Sequence, residues 1–136
     1  MRKLLIPLAA VLLSGCVDNA ANYTDAADHS IVVHAEQAHF WNSALNLELI
    51  ASRLQDCQRR YPLGKMAAER VDLTLYDNGN GVYTLQSGSK LWQVETNTCT
   101  ELAPPAAASG QALGAFRMIG NKLVFVQAGS TALAGN

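Results

Sequence analysis

Charge and aromatic rings are scarce in this chain. Of its 136 residues, 15% are Asp, Glu, Lys or Arg and 7% are Phe, Trp or Tyr. The 10 basic and 11 acidic side chains nearly cancel, so the sequence encodes no basic surface of the kind that binds nucleic acid. Cysteine is limited to Cys16, Cys57 and Cys99, and histidine to His29, His34 and His39. That leaves no C-x-x-C metal motif. There is no G-x-S-x-G elbow, no H-E-x-x-H helix, no P-loop and no G-x-G-x-x-G turn. Carboxylate pairs can be drawn from Asp56, Glu69, Asp72, Asp77, Glu95 and Glu101, but any acidic surface offers such pairs. The expectation is a protein that is not an enzyme and carries no cofactor or metal.

Long hydrophobic runs are missing too. The main one covers residues 4–13 and is interrupted by Pro7; a bilayer span needs about 20 apolar residues. Arg2 and Lys3 precede the run and small residues follow it, which is the layout of a secretory signal. The run closes on Leu13-Ser14-Gly15-Cys16, a pattern that resembles the lipobox of bacterial lipoproteins. The resemblance implies a diacylglycerol on the Cys16 thiol, cleavage just before Cys16, and a further acyl group such as palmitate on the new amino terminus. Two or three acyl chains, at about 0.8 kcal/mol per buried methylene, hold a protein on a membrane essentially permanently. Val17 in place of an aspartate implies sorting to the outer membrane. The rest of the chain resembles small uncharacterised proteobacterial envelope lipoproteins.

Loss of residues 1–15 takes Arg2 and Lys3 with it and leaves 121 residues, with 8 basic side chains against 11 acidic. That is one domain by length. With Cys16 given to lipid, Cys57 and Cys99 remain, and an exported domain matures under oxidising conditions. They are expected to form a disulfide, whose loop closure contributes about 4 kcal/mol in the chain-entropy model.

Along the mature chain, residues 16–30 are short, polar and alanine-rich, which reads as a flexible tether. Asn22-Tyr23-Thr24 matches a glycosylation sequon, which carries no expected meaning in a bacterial lipoprotein. Residues 31–41 begin β-branched and end aromatic, favouring a strand. His34 and Glu36 then face one side and His39 the other, with no third ligand at hand, so metal binding is not expected. Residues 45–54 fit a strand by two-residue alternation, yet Leu45/Leu49 and Ile50/Leu54 also suit a helix capped by Ser43. Residues 56–70 gather Arg59, Arg60, Lys65 and Arg70 around Tyr61, Pro62 and Gly64. They read as an ordered basic loop, with Arg59, Arg60, Tyr61 and Lys65 as candidate partner-binding residues.

From residue 71 the pattern is plain. Apolar–polar alternation over 71–76, 82–86 and 91–96, separated by Asp77-Asn78-Gly79-Asn80-Gly81 and Ser87-Gly88-Ser89, predicts a three-stranded antiparallel meander. The first turn lacks the later acidic ligands of a calcium loop. Residues 103–110, with Pro104 and Pro105, break the pattern. Residues 114–119 and 122–127 form a last hairpin over Gly120-Asn121, and 129–136 read as a frayed tail. The expected fold of residues 31–128 is all-β: a small antiparallel sandwich or partly open barrel of about seven strands, or α+β if 45–54 is a helix. The expected role is a lipid-anchored, non-catalytic module that binds an envelope protein. The alternatives are a glycan or small-ligand binder, with peptidoglycan as partner and Trp41, Tyr83 and Trp92 as an aromatic platform, or an inhibitor of an envelope-directed hydrolase.

Overall fold

A computed structural model describes residues 18–129 apart from 26, 39, 40 and 43. The signal segment, Cys16, His39, Ser43 and the tail 130–136 lie outside the described residues. Among the described residues ten strands form two antiparallel sheets: β1 (Asp18–Thr24), β2 (His29–Gln37), β3 (Ala44–Arg53), β4 (Cys57–Ala67), β5 (Asp72–Asp77), β6 (Val82–Ser87), β7 (Lys90–Glu95), β8 (Thr100–Leu102), β9 (Gln111–Ile119) and β10 (Lys122–Gln127). Sheet A has the order β1-β2-β3-β4, and sheet B the order β10-β9-β5-β6-β7-β8. A 3-10 turn, Ala68–Arg70, separates them. The fold is therefore an all-β sandwich of two sheets and is not closed into a barrel.

Alternation builds the core. In sheet A, Ile31, Val33 and Ala35 of β2 and Leu45, Leu47, Leu49 and Ala51 of β3 point inward. In sheet B the matching set is Leu73, Leu75, Tyr83, Leu85, Val94, Phe116 and Leu123. Each fully buried aliphatic or aromatic side chain contributes about 1.5–3 kcal/mol of transfer free energy. Residues 45–54 follow the two-residue period and form β3, because Leu45, Leu47, Leu49 and Ala51 share the inner face while Asn46 stays outside. The meander β5-β6-β7 and the hairpin β9-β10 lie where the pattern predicts.

Three strands depart from expectation, and all three are edge strands. Residues 18–24 are not a tether: β1 pairs with β2 along its whole length, Asp18 opposite Glu36 through Thr24 opposite Ser30. An edge strand needs few buried side chains, and here Ala21 and Tyr23 suffice. Residues 57–67 are not a loop but strand β4, paired with β3 from Cys57 opposite Arg53 to Ala67 opposite Ala44. Pro62 and Gly64 are tolerated because β4 has a partner on one side only and bulges between its pairings with Leu47 and Glu48. The short β8 extends the meander until Pro104 and Pro105 end it.

The two sheets are joined at both pairs of edges. At one seam the Asn19 side chain donates to the Asn121 carbonyl at 2.8 Å and accepts from the Leu123 amide at 2.6 Å, tying β1 to β10. Tyr23 packs beside this seam against Phe125 and Tyr83, with ring centroids 5.5 and 6.1 Å away. At the other seam the Cys57–Cys99 disulfide joins the start of β4 to the residue before β8, and Tyr61 donates its hydroxyl to the Cys99 carbonyl at 2.5 Å. Sheet A uses residues 18–67 and sheet B residues 72–127, so no strand is exchanged between them.

Candidate functional site

The outer face of sheet A carries the main assembly of charged groups on the described surface. Alternation places Asp18 of β1, His34 and Glu36 of β2, Asn46 and Glu48 of β3, and Arg60 and Pro62 of β4 on this face, and Lys65 joins them beyond the bulge. His34 lies directly opposite Glu48. Its Nε2–H donates to Asp18 Oδ1 at 2.7 Å, and its Nδ1 lies 3.8 Å from Glu48 Oε1. Arg60 donates to the same Glu48 oxygen at 3.2 Å. One line of alternating groups, Asp18–His34–Glu48–Arg60, thus crosses all four strands.

Beside this line is a shallow groove of about 420 Å3, walled by His34, Glu36, Asn46, Glu48, Pro62 and Lys65. The β4 bulge opens it. Gly64 sits there at φ +99°, and nothing lies within 4 Å of where a Cβ would be. The groove offers two carboxylates, an imidazole, a carboxamide and an ammonium group. That is a set of hydrogen-bonding and ionic partners suited to recognition. A second depression, of about 270 Å3 on the outer face of sheet B, is walled chiefly by Thr74, Ala115, Val126 and Ala128 with Arg117 at its side, and holds no comparable array.

A second polar cluster is buried at the far end of the sandwich. Asp25 accepts from the amides of Ala27 and His29 through Oδ1, and from the Tyr83 hydroxyl through Oδ2 at 2.9 Å. The His29 ring meets Thr96 Oγ1 at 2.5 Å, and Thr96 donates to the Gly81 carbonyl. Since that hydroxyl proton is used on Gly81, His29 Nδ1 carries the proton it donates to Thr96. Burial alone would raise the Asp25 carboxyl, but the hydrogen bonds from His29, Tyr83 and Ala27 together hold it below the usual carboxylate range. Burial, and then the bond to Asp25, push the Tyr83 phenol above its ordinary value. The cluster contains an acid, an imidazole and a hydroxyl, but not a relay. Asp25 holds the His29 backbone rather than its ring, and Thr96 is wholly buried. Its role is to fasten the β1–β2 turn of sheet A onto sheet B.

The residues marked in the sequence divide between the two faces of β4. Arg60 and Lys65 stand on the outer face at the groove. Tyr61 turns inward to the disulfide seam. Arg59 is exposed on the same pleat as Tyr61, opposite Ala51. Cys57 and Cys99 are bonded to each other. His34 and Glu36 share a face, as alternation requires, and Arg60 already supplies a positive charge to the array that His34 joins. Trp41, Tyr83 and Trp92 do not make an aromatic platform: Tyr83 is buried and bonded to Asp25, and Trp92 packs against the core. The turn at 77–81 uses positive φ at Gly79, Asn80 and Gly81. Asp18 and Glu48 were missed by sequence reasoning. The signal available was the alternation around His34, which becomes informative only once β1 is known to be a strand. Compared with protein-family models, with curated proteins and with solved structures, the chain matches none.

Proposed function

We propose that this is a lipid-anchored envelope protein whose sandwich is a non-catalytic module that binds another protein through the outer face of sheet A. The carrying observation is the four-strand array Asp18–His34–Glu48–Arg60 beside the groove. The anchor rests on the lipobox at residues 13–16.

The edges favour the same face. An added strand needs a long, flat, unprotected edge. Strand β4 has Pro62, a bulge, Arg59, Arg60 and Lys65 on its edge; β8 is three residues long and followed by two prolines; β1 and β10 are tied together by Asn19. Strand addition is thereby discouraged at every edge, and the partner is met by side chains on a face.

The test is photo-crosslinking in cells from position Asn46, in the groove, compared with Val124 on the outer face of sheet B. A discrete protein adduct is expected from position 46 and not from 124, and it should be lost in Glu48→Lys and reduced in Cys16→Ala. Recovery of sugar or peptidoglycan instead, with no protein adduct, would replace this reading with glycan binding.

A further inference from the structure

The two ends of the sandwich differ, and the difference is ordered about Asp18. Strand β1 starts at Asp18 opposite Glu36, so the beginning of β1 lies beside the end of β2. The β2–β3 connection, carrying Trp41, leaves from that same end, since Gln37 is opposite Leu45. The Asn19 bonds to Asn121 and Leu123 bring the β9–β10 turn there, with Ile119 opposite Lys122. Ala67 opposite Ala44 brings the end of β4, followed by Glu69 and Arg70. Of the three large apolar side chains exposed among the described residues, Trp41 at 70% and Ile119 at 45% are both at this end. The third, Leu54, is at the opposite end with the disulfide and the Asp25–Tyr83 cluster.

Chain length supplies the second argument. Only Val17 separates Cys16 from the first residue of β1. Two Cα–Cα steps reach about 7 Å, roughly the depth of one headgroup layer. A lipid on Cys16 therefore leaves no room for a spacer, because the residues that would have formed one are paired into sheet A. Lys65, Arg70, Lys90 and Lys122 share this end with Asp18, Glu36 and Glu69, so its rim carries only a slight excess of positive charge. The contact is apolar rather than electrostatic, and tryptophan is the side chain most at home at the headgroup boundary.

We propose that this end of the sandwich is a lipid-facing surface: Trp41 and Ile119 enter the headgroup–acyl boundary of the bilayer that holds the Cys16 acyl chains, and the domain stands directly on the membrane with β1 rising from it. The proposal rests on the reading that Cys16 is acylated. The occupant is a phospholipid surface, not a second copy of the chain.

The full chain, produced with its signal and purified in its processed form, is placed in vesicles of phosphatidylethanolamine and phosphatidylglycerol containing phosphatidylcholine brominated near the top of its acyl chain. The mass of the N-terminal peptide reports acylation separately. The expected result is acylated Cys16 and a loss of tryptophan emission in brominated vesicles. That loss is abolished by Trp41→Phe, which removes the reporter, weakened by Ile119→Ser, and unchanged by Leu54→Ser at the far end. An acylated, vesicle-bound protein whose emission bromine does not touch would overturn the seating while leaving the anchor intact. A Cys16 without acyl chains would overturn both, and the peptide mass tells the two failures apart.

Discussion

At the scale of single residues, backbone conformation and hydrogen bonding set the sharpest requirements. Gly114 in β9 adopts φ +154°, and a Cβ there would collide with the Val126 carbonyl oxygen of β10. Gly114→Ala is expected to destabilise the fold by more than about 1 kcal/mol, read as a lower urea midpoint with unchanged slope. Asp25 and Glu95 govern the acid limit. Hydrogen bonds from the Thr98 hydroxyl and the Asn97 amide, the former the stronger influence, hold Glu95 low, as those from His29, Tyr83 and Ala27 hold Asp25. A carboxyl whose folded value lies below its unfolded one stabilises the fold fully above the unfolded value and loses that contribution as pH falls through the folded one. Stability should therefore decline below about pH 4, and Asp25→Asn should flatten the decline in an acid titration followed by circular dichroism. On the alkaline side Tyr83 has the opposite sign. Its raised phenol stabilises below the ordinary tyrosine value, and that contribution is lost as pH climbs beyond it.

Residue pairing was legible where elimination worked. Cys57 and Cys99 were left to each other once Cys16 was set aside, and they are bonded. Arg60 and Lys65 stood out as part of a basic run, and both reach the groove. Tyr61 stood out with them but turns to the Cys99 carbonyl, because a strand sends neighbouring side chains to opposite faces. The proline and glycine of the run read as a loop, and a loop carries no such rule.

At the scale of elements, the strands that bury a face announced themselves, and the edges did not. β3, β5, β6 and β7 show apolar–polar alternation in sequence because one side of each must be apolar, and β9 and β10 show as two apolar runs about a Gly-Asn turn. β1 is DNAANYT, held by ladder bonds to β2, by Asn19 and by one aromatic ring; none of these leaves a hydrophobic period. β4 carries proline and glycine, breakers in a central strand and devices of protection at an edge. The seams give a graded prediction. Replacing Cys57 and Cys99 by serine should cost about 2–5 kcal/mol, visible as a lower melting temperature that no longer responds to reductant. Asn19→Ala removes two hydrogen bonds at the other seam and should cost about 1–3 kcal/mol by leaving the Leu123 amide without this acceptor.

At the scale of the molecule, one core serves both sheets. Phe116 is wholly buried, faces Leu73 across the ladder and packs against the tilted ring of Phe125, centroids 4.9 Å apart, while Phe125 in turn meets Tyr23 of sheet A. Phe116→Ala should cost about 3–5 kcal/mol. Because the cavity would lie between the sheets, far-ultraviolet ellipticity and tryptophan emission should still fall in a single coincident transition. A sheet that melted alone would separate the two signals.

The arrangement of sheets along the chain has a consequence for birth rather than for rest. A ribosome releases residues 18–67 before residues 72–127, so the four strands of sheet A emerge with an inner face of Ile31, Val33, Leu45, Leu47 and Leu49 and nothing to lay against it. Asn19 must wait for Asn121 and Leu123, about a hundred positions later, before its seam can close. Such distant pairings are slow to form. The nascent first half is thus a sticky intermediate by construction, and the time between its emergence and the arrival of the last hairpin is when a holding chaperone would matter most.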